Sequence, residues 1–129
     1  MQKVSYSLSL AHLLAIVLAG PATAQNHAEG KNLYATYCIV CHGEKGKGDG
    51  AAAKGLPAKP ADHTNGAVMN QLSDKFLNDV ISKGGGAVGK SNFMPAWGDS
   101  LNEKQIRDVV AFIRTIAVPA GKAEVPADR

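Results

Sequence analysis

An all-α domain built on about three main helices is the fold class that the sequence predicts, from three observations. Apolar residues recur at spacings of three and four in three separate stretches, two of them opened by an asparagine with a glutamate or glutamine three residues on. No convincing run of alternating apolar and polar residues lies between turn residues, so strand signals are poor. Glycine-rich connections separate the helical stretches, and no repeat, heptad run or low-complexity segment interrupts them.

The chain opens with the three parts of a secretory signal peptide. Lys3 is the positive start, Leu8 to Ala19 is an apolar run of twelve residues, and Ala22, Thr23 and Ala24 form an A-x-A site. Twelve residues fall well short of the roughly 20 that a bilayer span requires. Cleavage after Ala24 is therefore expected, which places the rest in the bacterial periplasm as a single domain over residues 25–129. The core of that domain should run from about 26 to 117, with a flexible tail over 118–129. The whole chain has 129 residues and a net charge of +3. Without Lys3 it is too weakly basic to suggest nucleic acid as a partner.

The first helix is expected from Asn26 to about Tyr37. Asn26 can cap it, Glu29 sits where a capping-box partner belongs, and Leu33, Tyr34 and Tyr37 share a face. The second runs from Ser73, its N-cap, to about Ser82, with Phe76, Leu77, Val80 and Ile81 as its stripe and Gly84, Gly85 and Gly86 as its stop. Asn102 and Gln105 open the third, Ile106, Val109, Val110, Ile113 and Ile116 carry it, and Pro119 closes it. Between the first two helices lies GEKGKGDGAAAKGLPAKPADHTNGA, a long loop with Pro57 and Pro60. A structureless loop of that length is unusual unless it serves a function, and it could wrap round a bound group.

The two cysteines of the chain, Cys38 and Cys41, are followed at once by His42. A thioredoxin-like disulfide is expected beside a βαβ pattern, which is missing here. Structural zinc and iron-sulfur sites normally want four ligands, and no second cysteine pair exists. C-x-x-C-H uses all three residues as the attachment sequence of c-type haem. Both thiols form thioethers to the porphyrin, and His42 is held where its imidazole can bind iron.

The other axial position decides the chemistry, because an open site permits ligand reactions and a second strong ligand restricts iron to electron transfer. Met69, Met94, His27 and His63 are the candidates. Met69 lies among apolar residues that suit a core role, His63 follows Asp62 in a polar loop that suits the surface, and His27 is in the first turn of the helix that carries the attachment site. Met94 sits in a loop with Pro95 limiting its freedom, which suits a thioether that must reach iron. Met94 is the expected second ligand.

With these residues in place the chain resembles a class I cytochrome c, and especially bacterial members whose ligand segment is similar to Met94-Pro95-Ala96-Trp97. The resemblance covers Asn26 to about Ala117 and implies a cytochrome c fold round one covalently bound haem. It implies that Gly30 and Tyr34, each four apart on the way to Cys38, cross the last helix at Val109 and Phe112. It also implies that a proline carbonyl, from Pro57 or Pro60, accepts the other N–H of His42. Trp97 either packs on the macrocycle, bonds a propionate or is a core residue.

The expected function is a monomeric one-electron carrier rather than an enzyme, with Cys38 and Cys41 as covalent anchors and His42 and Met94 as iron ligands. Lysines at 45, 47, 54, 59, 83 and 90 would either be a solvated face or ring the haem edge and dock acidic redox partners. The alternatives are a haem enzyme or ligand sensor with a displaceable sixth ligand, and a cytochrome subunit of a larger oxidase or dehydrogenase complex.

Overall fold

The computed structural model describes residues 24–118. The leader expected over 1–24, apart from Ala24, and the tail after Val118, including Pro119, lie outside the described residues. Five helices follow in order: α1 (His27–Tyr37), α2 (Ile39–His42), α3 (Gly66–Met69), α4 (Asp74–Lys83) and α5 (Glu103–Ile116). Short 3-10 turns span Ala53–Gly55 and Gly85–Val88. Among the described residues the β-structure is one isolated parallel bridge between Asn65 and Val118. The all-α class expected from the sequence is the class observed.

Each long helix begins where its cap was expected. Asn26 Oδ1 accepts from the N–H groups of Ala28 and Glu29 at 3.1 and 3.2 Å, and Ser73 Oγ accepts from the Phe76 N–H at 3.1 Å. Asn102 and Gln105 form a complete capping box, with both bonds at 3.0 Å. The box expected of Glu29 does not form, and the reason is tertiary. Asn26 N–H donates instead to the Asp108 carboxylate of α5 at 2.7 Å, so the proton that Glu29 would receive is already taken.

Helices α1 and α5 make the principal helix–helix contact. They approach so closely at Gly30 that a β-carbon there would lie 1.8 Å from the Asp108 carbonyl oxygen. Tyr34, one turn on, meets Phe112 edge-on with ring centroids 5.1 Å apart. Val109 and Val110 are wholly buried beneath this crossing, and Ile106 and Ile113 extend the same stripe. Burying each such side chain favours folding by roughly 1.5–3 kcal/mol over leaving it exposed.

Asp108 is as buried as the valines beside it. It is tolerated there because Lys104 Nζ, at 2.6 Å, and Asn26 N–H both donate to it. At the other end of α5, the Arg114 guanidinium donates to the carbonyls of Met69 and Leu72 at 2.6 and 2.5 Å and to Asp74. It thereby ties α5 to the end of α3 and the start of α4.

The segment from Gly43 to Ala67 is not structureless, as its composition suggested. It doubles back on α2 through bonds from Gly48 N–H to His42 O, Gly50 N–H to Cys41 O and Ala52 N–H to Val40 O, at 2.8, 3.1 and 2.9 Å. Gly48 adopts φ +72°, and a β-carbon there would meet the Pro60 carbonyl oxygen at 2.3 Å, so glycine is required at this fold-back. Further along, the His63 N–H donates to Gly46 O at 2.7 Å, which draws residues 61–63 against α2.

Candidate haem site

Cys38 caps the end of α1, and Cys41 and His42 follow within the single turn of α2. The C-x-x-C-H stretch is therefore an extension of the helix locked to α5. Both thiols are unbridged and half-buried. Burial pushes the Cys38 thiol up to about 12, with the neighbouring Cys41 adding to the effect. A thiol held protonated in this way is a poor nucleophile for disulfide exchange at neutral pH.

His42 is buried, and its Nδ1 lies 3.0 Å from the carbonyl oxygen of Ala61. A carbonyl only accepts, so Nδ1 carries the proton and donates, and Nε2 keeps its lone pair. Burial lowers the His42 pKa, partly opposed by the Ala61 bond, which keeps the ring neutral and ready to ligate. The acceptor is neither of the prolines expected, Pro57 or Pro60, but the residue after Pro60. The fold-back on Gly48 and Gly46 sets that register.

A cavity of about 780 Å³ opens beside this triplet, within the roughly 300–1,000 Å³ range of cofactor pockets. Cys38, Cys41 and His42 line one part of it. Met69, Leu77, Ile81, Val109 and Ile113 bring the inner faces of α3, α4 and α5 to it, and Met94 and Trp97 come from the loop after α4. That loop is pinned at both ends of its Met94–Trp97 segment. Gly85 N–H donates to Met94 O at 3.0 Å, and Trp97 N–H donates to Ile81 O at 2.9 Å. Trp97 is half-buried and meets Tyr37 edge-on at 5.2 Å.

The other candidates fall into three environments. Met69 is 2 % exposed within the core cluster as well as lining the cavity, in keeping with the core role expected of it. His27 is exposed at the first position of α1 and does not line the cavity. His63 departs from its expected surface position. It is buried, its ring stacks on that of His42 with centroids 4.2 Å apart and planes 17° apart, and its Nδ1 lies 2.8 Å from Tyr34 Oη. Burial, then the proximity of His42, lowers its pKa to about 3, with Asp62 opposing, so His63 is neutral. It lies beside His42, which removes it as a partner facing His42 from across the cavity.

Of the lysines at 45, 47, 54, 59, 83 and 90, Lys59 and Lys90 line the cavity. Lys83 is paired with Asp79 at 2.8 Å. Val40, Val68 and Phe93, all more than half exposed, also line the cavity, so its mouth is largely apolar.

The residues present fit a haem. Two unbridged cysteines and a histidine with a free ring nitrogen stand at one side of an apolar cavity, and a thioether enters the same cavity from a separate, pinned loop. This fold and constellation define a c-type cytochrome domain. Residues 25–113 match the family described as cytochrome C oxidase, cbb3-type, subunit III, and the chain belongs to that family. It is 29% identical over 98 residues to the cbb3-type cytochrome c oxidase subunit FixP of Azorhizobium caulinodans. That alignment takes in 76% of this chain but only 30% of FixP, so the chain spans less than a third of that relative. Among solved structures the fold is similar to the KustC0563 c-type cytochrome, with a TM-score of 0.56 and 22% identity, over 67% of this chain and 95% of that one.

Proposed function

We propose that this protein is an exported c-type cytochrome that carries one electron at a time on a single haem, with Cys38 and Cys41 as covalent anchors and His42 and Met94 as the two iron ligands. The observation that carries the reading is the Nδ1 bond from His42 to Ala61 O. It fixes the tautomer of a cavity-lining imidazole so that Nε2 alone is available for ligation.

When bound, haem c supplies a reversible Fe(II)/Fe(III) couple. The chain's part is to keep both oxidation states in the same surroundings. Leu77, Ile81, Val109 and Ile113 exclude water from the cavity, and the pinned loop holds Met94 so that little has to move when the charge changes. With His42 and Met94 holding it, the iron would favour Fe(II) and have a higher potential than one held by two imidazoles. Electron transfer rather than substrate turnover is then the role of the domain. Its leader, ending at Ala24, would deliver it to the periplasm as one domain over residues 25–129.

The family and FixP support a second reading, in which the domain passes electrons as part of a cbb3-type oxidase assembly. Affinity purification from membranes separates the two, since a subunit brings oxidase haems with it and a free carrier does not. For the ligand set, the exported protein should have a low-spin haem c spectrum when reduced and a weak far-red band when oxidised. That band should vanish in Met94→Ala and persist in Met69→Ala. Ready binding of carbon monoxide by the reduced protein would instead favour the sensor or enzyme reading.

A further inference from the structure

His63 is unused in the ligand set, yet it is buried against the residue on which that set depends. The bond to Ala61 anchors one ring atom of His42 but leaves its plane partly free, because hydrogen bonds at carbonyl oxygens tolerate a broad range of angles. The ring of His63, 4.2 Å away and 17° from parallel, covers the face of that plane. His63 is itself constrained from two sides. Its N–H donates to Gly46 O at 2.7 Å, and its Nδ1 pairs with Tyr34 Oη at 2.8 Å. Tyr34 is 2 % exposed on α1 and fixed against Phe112 of α5. A continuous line of contact thus runs from the α1–α5 crossing through Tyr34 and His63 to His42. A phenylalanine at 63 would fill the same space without desolvating two ring nitrogens. The polar edge of the histidine is what couples the stacked ring to Tyr34.

We propose that His63 and Tyr34 are positioning residues that set the plane of the His42 imidazole, and through it the electronic state and midpoint potential of the haem iron. The inference rests on the haem reading given above, with His42 as a ligand.

The test uses the exported, haem-loaded protein and four variants: Tyr34→Phe, His63→Phe, His63→Ala and the double Tyr34→Phe/His63→Phe. The haem methyl proton resonances of the oxidised protein report the orientation of the axial imidazole plane, and a redox titration gives the midpoint potential. Tyr34→Phe should alter the spread of the methyl resonances and move the potential. His63→Ala should do both to a greater extent. In the His63→Phe background, adding Tyr34→Phe should produce no further shift, because the partner of the hydroxyl is already gone. If His63→Ala fails to take up haem, the isosteric pair and their double decide the question. Variants that lower the melting temperature but keep the native resonance pattern and potential would reduce His63 and Tyr34 to core packing and overturn the inference. A wild-type protein without low-spin haem would overturn the haem reading as well, whereas a normal wild type with unmoved variants overturns this inference alone.

Discussion

Gly30 is the residue at which the smallest change should have the largest effect. A methyl group added there collides with the main chain of Asp108, which has no rotamer to retreat into. Overpacking of a core usually costs about 1–3 kcal/mol. Gly30→Ala should lie at or above the upper end, read as a fall in the urea midpoint without a gain in helicity. Asp108 makes a separate prediction. Burial is the largest influence on its carboxyl and pushes the pKa up, but the bonds from Lys104 and Asn26 outweigh it and the net shift is downward. Its contribution to stability is therefore present above the ordinary carboxylate pKa and is lost as pH falls through the depressed value. Asp108→Asn should cost about 1.5–3 kcal/mol near neutrality, as for bonds to charged groups. The difference in melting temperature from the wild type should shrink in acid below about pH 4. At this scale the sequence was only partly legible. Cys38, Cys41 and His42 fall within one five-residue stretch, so their grouping could be read directly. The acceptor for His42 is a main-chain oxygen of Ala61, which no side-chain pattern marks, and the burial of His63 depends on the distant carbonyl of Gly46.

Among the elements, the long helices were legible because stripes and caps are local signals. Asn26, Ser73 and Asn102 all cap as expected, and α4 stops one residue later than Ser82. The single-turn helices α2 and α3 have too few residues to display a period, so nothing in the sequence distinguished them from loop. Helix α5 gathers the most contacts, and Arg114 is its anchor to α3 and α4. Arg114→Ala strips donors from the carbonyls of Met69 and Leu72 and from Asp74. It should destabilise the domain by about 1–3 kcal/mol in chemical denaturation. Since Met69, Leu72 and Leu77 line the cavity, the loss should also lower the temperature at which the far-red band of the oxidised haem protein disappears on heating. Asn102→Ala, which breaks the capping box, should cost about 0.5–2 kcal/mol and leave the visible spectrum unchanged.

For the whole molecule, an apolar cavity of about 780 Å³ in a domain of this size means that much of the interior is incomplete without its cofactor. Replacing Cys38 and Cys41 together by alanine should give a chain that keeps far-ultraviolet helicity but loses near-ultraviolet signal and cooperative melting. The mouth of that cavity offers Lys59 and Lys90 among Val40, Val68 and Phe93. Association with a redox partner should accordingly depend only weakly on ionic strength, in contrast to the steep dependence of a lysine-ringed edge. One further consequence comes from the bond between Asn26 and Asp108, which are 82 positions apart. In the export proposed above, the helix that leads into Cys38 would have no clasp until nearly the entire domain had crossed the membrane. A polypeptide delivered from its amino end would wait in an unfastened condition, and the same delay would leave Cys38 and Cys41 within reach of an enzyme that stitches porphyrin to them.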